Sequence, residues 1–217
     1  MYIARSTDAY FRRPLHITEL TEALAIDLEQ FAYDETQRME DPEDIMSLCG
    51  SLVTMQSGVL KLAHYSVKEY LTSDRLLSSP QFAYYVSSKN ANFSIGQSCL
   101  LYLQHYDNVQ KTALGNQKHD PTLERDKLLP LYSYSICFWP SYYRSADQPK
   151  ELTNLVLGIL GNPSSFFTSE LWRLPNSSIH NPGWEWGTIF EEIESFREDM
   201  VSLTSLLRSR RELKSLI

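Results

Sequence analysis

The sequence contains few of the residues that catalysis, metal binding or disulfide crosslinking require. Its 217 residues include three cysteines and five histidines, and no two of them have the spacing of metal ligands or of a redox pair. Three widely separated cysteines predict reduced thiols in a core, because a disulfide framework needs pairs. No Gly-x-x-x-x-Gly-Lys-Ser/Thr phosphate loop occurs. We therefore expect no enzyme, no catalytic residue, no bound cofactor and no metal.

Positive charge and long apolar runs are also scarce. Lysine and arginine number 20 against 27 acidic residues, which gives a net charge of −7 and disfavours nucleic acid or an anionic membrane as a partner. The most apolar stretch, 152–161, is too short to cross a bilayer. The start of the chain lacks the apolar core of a signal peptide. The sequence thus predicts a cytoplasmic protein that contacts neither nucleic acid nor membrane.

The most informative segment is 59–74, which predicts a strand followed at once by a helix. Leu60 and Leu62 share one face of the strand, since side chains alternate along it. The strand ends at His64, and a helix follows for which Ser66 is the predicted N-cap and Glu69 its capping-box partner. The turn 56–58 joins this strand to 53–55 in a short hairpin.

The elements before the hairpin complete the order of a winged helix. Residues 2–10 have the character of a helix end, and apolar residues from Ile17 to Ile26 predict an amphipathic helix. The run 41–44, Asp-Pro-Glu-Asp, is a strong signal for the start of a third helix. We expect one core for this domain, which comprises Leu48, Leu52, Leu62, Val67 and Leu71.

The remainder of the chain predicts further helices. Apolar patterns indicate helices at 93–103, 128–143 and 151–160, a short one at 166–174, and a polar loop at 108–126. The expected fold is mainly α: a winged helix with a two-stranded β-wing, an all-α helical domain, and a long C-terminal amphipathic helix. The predicted domains are 1–78, 79–175 and 184–217.

The C-terminal segment 184–217 is the predicted interaction element. Its apolar residues recur at alternating intervals of three and four, and it is acidic early and basic late, as a helix dipole favours. Such a helix either lies on its own domain or pairs with another chain. The candidate interaction residues are Ile189, Ile193, Phe196, Met200, Leu203 and Leu207.

Several motifs in the first two thirds of the chain resemble those of one fungal family. They include Leu-Cys-Gly-Ser-Leu-Val at 48–53, His-Tyr-Ser-Val-Lys-Glu-Tyr-Leu at 64–71, Cys-Leu-x-Tyr-Leu at 99–103 and Trp-Pro at 139–140. They resemble the winged-helix module that follows the nucleotide-binding domain in fungal NACHT-type STAND ATPases. This module is known as the GPI inositol-deacylase-type winged helix.

The resemblance implies a regulatory part of a receptor, without the enzyme. The chain has neither the NACHT ATPase domain nor ankyrin repeats, so we expect either a fragment of a larger receptor or a truncated gene product. Four positions depart from the family pattern. His16 replaces a threonine and is expected to weaken a helix cap, Gly96 and Ser135 replace alanines and are expected to loosen their helices, and Tyr142 stands where a histidine usually does.

The resemblance leaves three functions open. The favoured one is a non-catalytic regulatory module, whose protein partner is an ATPase domain in cis or in trans. The alternative is a stand-alone adaptor that associates through the C-terminal helix, with a partner or with itself. A nucleic-acid-binding winged helix is least favoured, because the recognition helix at 42–52 has no basic residue and is led by three acids. His64 is a possible nucleotide sensor if an ATPase partner exists; otherwise its imidazole satisfies backbone groups near the helix start.

Overall fold

The computed structural model describes residues 10–113, 129–146 and 150–160. Seven α-helices and four short strands occur in these ranges, with 3₁₀ turns at Glu35–Gln37, Gly50–Leu52 and Phe82–Tyr84. The elements are α1 Ile17–Leu24, β1 Ile26–Asp27, β2 Ala32–Tyr33, α2 Asp44–Cys49, β3 Val53–Gln56, β4 Val59–Leu62, α3 Tyr65–Leu71, α4 Asp74–Leu77, α5 Ser88–Ala113, α6 Tyr132–Ser145 and α7 Lys150–Leu160.

The β3–β4 hairpin forms the wing, in nearly the bounds that the sequence predicts. Its two strands are antiparallel, and Val53 pairs with Leu62. Ser57 and Gly58 both have positive φ, 51° and 76°, as two-residue hairpin turns that match the strand twist require. A Cβ on Gly58 would lie 2.2 Å from Nε2 of His16, so glycine is needed here for space as well as for conformation.

The segment before α1 pairs with the wing as a third, short strand. The Ile17 N–H donates to the Gly58 carbonyl at 2.7 Å, and the Leu60 N–H donates to the Leu15 carbonyl at 3.0 Å. These bonds fix the wing against the start of α1. A segment that pairs with the wing, the helices α1 and α2, the two-stranded wing and then α3 follow one another along the chain, as in a winged helix.

The predicted core of this domain is wrong in part. Leu48 is 66% exposed and Leu52 50% exposed, whereas Leu62 and Val67 are half-buried. Helix α2 has only six residues, and Ile45 is its one buried side chain. Leu71 is buried as predicted, although in a separate small cluster. The other buried side chains of this domain include Leu15, Leu20, Ile45, Val53 and Leu60.

Two further features differ from the prediction. The β1–β2 hairpin pairs Ile26 with Tyr33, a contact that a two-residue strand gives too little pattern to reveal. Helix α5 continues through Asn108 to Ala113, where the sequence predicts a loop. No proline or glycine lies between Gly96 and Gly115, so no helix-breaking residue ends α5 before Ala113.

Helix α5 carries the helical region, with α6 and α7 packed against it. Gly96 lies where α6 and α7 come closest, since a Cβ there would be 3.1 Å from Tyr142 Cβ and 3.4 Å from Leu152 Cδ1. The missing side chain lets α6 and α7 lie close to α5 at this point, and the expectation that Gly96 loosens its helix stays a prediction. Ser135 is fully buried in α6.

One hydrophobic core runs through the winged helix and the helical region. It joins Leu15, Leu20 and Leu60 to residues of α5, α6 and α7. A second, smaller cluster around Leu71 and Leu76 packs the end of α3 against the start of α5. The mainly α fold class is confirmed. The predicted C-terminal helix lies outside the described residues, and the domain boundaries remain predictions.

Candidate interaction surface

Arg12 binds the start of the winged helix to α6, and its contacts with α6 are here called a joint. Its guanidinium donates to Ser145 Oγ at 2.6 Å and to the Ser141 carbonyl at 3.3 Å, and it lies over the Tyr142 ring, 5.2 Å from the centroid. Its backbone N–H donates to the Tyr142 hydroxyl at 3.0 Å. The sequence predicts only the end of a helix at Arg12-Arg13-Pro14. No local pattern predicts these contacts between residues that lie far apart in the chain.

Two buried tyrosines of α6 complete this joint. Tyr134 and Tyr142 share a hydroxyl–hydroxyl bond of 2.5 Å, and the Tyr142 hydroxyl donates to the Tyr10 carbonyl at 3.1 Å. Arg13 lies over the Tyr134 ring at 4.9 Å and binds both oxygens of Glu19. Burial raises the pKa of both tyrosines, so they remain neutral donors and acceptors.

A buried carboxylate forms a second joint between the winged helix and α5. Glu22 is 1% exposed, and its Oε2 accepts from the hydroxyls of Tyr33 at 2.9 Å and Tyr102 at 2.8 Å. Arg38 Nε lies 2.7 Å from Oε1, outside hydrogen-bonding geometry, so this contact is an ion pair. The charge is thus compensated, as a buried carboxylate requires. His105 stacks on Tyr33 at 4.2 Å.

Two histidines cap helices of the winged helix. Nδ1 of His64 accepts from the Ser66 N–H at 3.1 Å, which makes His64 the N-cap of α3. The prediction that Ser66 is the cap is wrong by two residues, and its hydroxyl lies 2.8 Å from the same Nδ1. His16 caps α1 with Glu19 in a capping box, so its substitution for threonine does not remove the cap.

The cysteine thiols are poor nucleophiles in this fold. Burial raises the pKa of Cys99 to about 12 and that of Cys137 to about 11, so both remain protonated near neutral pH. Burial also raises the pKa of the half-buried Cys49. No cluster of three potential metal-ligating side chains is found in the described ranges.

An apolar groove lies beside α3 and is here called the α3 groove. It has a volume of about 360 Å³, and its apolar lining consists of Leu52, Val67, Tyr70, Leu71 and Tyr84. Tyr70 is 53% exposed and Tyr84 48% exposed. Apolar side chains exposed together in one patch are typical of a surface that binds another element.

The start of α2 is acidic. Glu43, its N-cap, and Asp44, its first residue, are both exposed, and Leu48 lies one turn beyond Asp44 on the same face. That this helix, which stands in the recognition position, does not bind nucleic acid stays a prediction.

The residues that the sequence singles out fall in different places. His64 lies exposed at the start of α3, within two residues of Ser66, which also borders the α3 groove. The candidate interaction residues from Ile189 to Leu207 lie outside the described residues. The sequence analysis did not predict the groove. Its aromatic residues, Tyr70 and Tyr84, are of a type that sequence alone assigns to a core.

Comparison with known proteins agrees with this class of fold. The family model described as "GPI inositol-deacylase, winged helix domain" matches residues 6–85, so this part of the chain is similar to the winged-helix domains of that family. A relative from Monascus ruber, the azaphilone pigments biosynthesis cluster protein L, is 36% identical over 100 residues. The match covers 42% of this chain and 21% of the relative, so the chain spans about a fifth of that protein. No solved structure matches.

Among the helices of the described ranges, none is both long enough and apolar enough to cross a membrane.

Proposed function

We propose that the chain is a non-catalytic regulatory arm of the kind that follows the ATPase domain in fungal NACHT-type STAND receptors. In such a receptor the arm passes the nucleotide state of the ATPase domain to a sensor. Its partner is then a protein, an ATPase domain in cis or in trans. The winged-helix family match at 6–85 supports the domain type, and the fungal relative supports the lineage.

The observation that carries the proposal is the pair of joints between the winged helix and the helical region. Arg12 and Arg13 bind α6, and the buried Glu22 binds Tyr102 of α5. A shared core lies between them. An arm that relays a movement must transmit it without bending, and buried, charge-compensated contacts resist bending because separating them would expose unpaired charge.

The non-catalytic role is supported by the engagement of the groups that catalysis would use. His64 uses Nδ1 to cap α3, His105 is stacked on Tyr33, and the two buried thiols have raised pKa values. Each of these groups therefore already has a structural role or is held in its unreactive form.

Sequencing the transcript upstream of the Met1 codon tests the proposal directly. An open frame that continues into a phosphate loop supports the receptor arm. A stop codon in frame contradicts an ATPase domain in cis and favours the adaptor described below. Purified full-length protein should in either case neither bind nor hydrolyse labelled ATP, and micromolar binding that a point change in this chain abolishes would contradict the non-catalytic role.

A second candidate function is a stand-alone adaptor, and the α3 groove favours it. An apolar surface with exposed tyrosines is suited to hold a partner, whether or not an ATPase is present. An upstream stop codon together with a stable complex recovered with one defined protein would select this function over the receptor arm.

A further inference from the structure

We propose that residues 27–38 form a strap that is closed over α5 near neutral pH and opens in acid, through proton uptake at Glu22 and His105. The strap comprises the β1–β2 turn, β2 and the 3₁₀ turn that follows it. The inference goes beyond the proposed function, because it holds for a receptor arm and for a stand-alone adaptor alike. Three observations carry it: the shallow burial of the strap, the dependence of a buried carboxylate on it, and the stacking of His105 against it.

The strap lies at the surface and is attached to α5 by side-chain contacts. All of its residues are described, and none of them is buried. The Leu28 carbonyl accepts from Gln97 Nε2 at 3.1 Å. The Tyr33 ring packs edge-on against Tyr102, with 5.6 Å between the ring centroids. Phe31 in the β1–β2 turn has a φ of 54°, a conformation that bulky residues rarely adopt. A segment with little burial and a strained turn is one that opens locally, without unfolding of the core.

The buried Glu22 depends on the strap for its charge compensation. Its side chain has three polar partners among the described residues, and two of them, Tyr33 and Arg38, belong to the strap. The third is the Tyr102 hydroxyl of α5. The ionised carboxylate therefore holds the strap closed, since opening removes its countercharge. A proton on Glu22 abolishes the ion pair, and the Arg38 side chain, which is 42% exposed, then enters water without having to leave a core.

His105 provides a second proton acceptor beneath the strap. Its half-buried ring stacks on Tyr33, with 4.2 Å between the ring centroids and 29° between the planes. Desolvation in this position lowers the pKa of His105, although the nearby charges of Glu22 and Glu35 oppose the shift. The ring is therefore neutral while the strap is closed and takes up a proton more readily once the strap is open. The open form thus becomes more favourable as the pH falls below about 6.5, the ordinary pKa of histidine.

Four other ionisable groups of the strap and of α5 keep their charge state in mild acid. Burial raises the pKa of Tyr33 and of Tyr102, so both hydroxyls stay protonated. Hydrogen bonds from the Thr36 hydroxyl and N–H lower the pKa of Asp34, so this carboxylate stays ionised. The Arg38 guanidinium remains charged throughout. These groups therefore do not contribute to the proton uptake on opening.

Hydrogen exchange in the full-length chain, measured by NMR, tests the strap. The reporter is the Asp34 N–H, which donates to the Ala25 carbonyl at 2.9 Å. Strands of two residues do not persist as an isolated hairpin, so release from α5 exposes this N–H. Its protection, corrected for the intrinsic exchange rate at each pH, is compared at about pH 7 and about pH 5, on either side of the ordinary pKa of histidine.

The expected result is a local loss of protection in acid. One proton taken up on opening changes the opening constant by at most about tenfold per pH unit, and we expect the protection of Asp34 to fall by roughly threefold or more. The Ser135 N–H, which donates to the Leu131 carbonyl inside α6 at 2.9 Å, is the internal reference and should keep its protection.

Substitutions separate the two proton acceptors. His105→Phe keeps a ring against Tyr33 and removes the titrating group, so the fall at Asp34 should be much smaller. Glu22→Gln keeps the size of the side chain and removes its charge, so the strap should already be poorly protected at about pH 7 and change little in acid. His64→Asn is the matched control, because it removes another histidine and keeps an acceptor for the cap of α3; it should leave the fall unchanged.

The other outcomes overturn the proposal. Equal protection of Asp34 at the two pH values shows that the strap stays closed in acid. A fall of the same size at Ser135 shows loss of the whole fold, and an undiminished fall in His105→Phe or in Glu22→Gln contradicts the assignment to these two residues. If Glu22→Gln does not fold, Arg38→Met removes the same ion pair from its exposed side. Unchanged protection in Arg38→Met at about pH 7 would then refute the role of the ion pair.

Discussion

Tyr142→Phe tests whether the joint between the winged helix and α6 contributes to stability. The change removes one oxygen and keeps the ring that packs beneath the Arg12 guanidinium. The lost hydroxyl accepts from the Arg12 N–H and from the Tyr134 hydroxyl, and it donates to the Tyr10 carbonyl. We expect the variant to be folded but less stable.

The magnitude follows from what the lost oxygen leaves behind. The Arg12 N–H retains its 3.3 Å contact with the Tyr134 hydroxyl, so its loss is partial. The Tyr134 hydroxyl loses its partner at 2.5 Å in a buried position. Leaving one buried polar group unsatisfied costs about 1–3 kcal/mol. For a domain of this size each kcal/mol lowers Tm by about 2–4 °C.

Urea unfolding followed by far-UV circular dichroism measures the effect. Tyr65→Phe is the control, because Tyr65 is 67% exposed and its substitution should stay within about 0.5 kcal/mol of wild type. If Tyr142→Phe proves as stable as Tyr65→Phe, the hydroxyl network does not hold the two parts together. The structural argument for a stiff arm then loses one of its two joints.

Three further predictions concern the wing, a helix cap and alkaline pH, and all use the same unfolding assay. Leu60→Ala should cost about 2–5 kcal/mol as a buried truncation and clearly more than Leu62→Ala, because Leu60 is buried and Leu62 is half-buried on the same strand face; equal costs would contradict this difference in burial. His64→Ala should cost about 1 kcal/mol, whereas His64→Asn should retain most of the cap; equal losses would exclude the capping role. Because burial raises the pKa of Cys99 and Cys137 above that of the unfolded thiols, stability should fall as pH rises from about 9 towards 12, and replacing both by alanine should reduce that slope.

Local patterns sufficed to predict the wing and the helices. The hairpin depends on a two-residue turn and on neighbouring residues that alternate, so all its determinants lie within ten positions. The helix starting near Asp41 was predicted for a similar reason: Asp41 Oδ1 accepts from the Glu43 N–H at 2.9 Å. Features of this kind need no knowledge of the rest of the chain.

The exposed side chains and the joints could not be predicted in this way. Leu48 and Leu52 follow a helical apolar pattern whether they face a core or an open groove, and only the path of the surrounding chain decides between these cases. Arg12 contacts residues about 130 positions away, and no local signal marks such a pair. Histidine is also not among the residues preferred as N-caps, so Ser66 was the stronger candidate.

The cap at His64 bears on whether this residue can also sense a nucleotide. Because Nδ1 accepts a hydrogen bond from the Ser66 N–H, the neutral ring must carry its own proton on Nε2. His64 is exposed, so this Nε2–H can donate to a phosphate oxygen of a partner ATPase while the cap stays intact. The structural and sensing roles therefore require the same tautomer and do not compete. His64→Asn separates them, since it retains an acceptor for the cap and removes the Nε2–H donor.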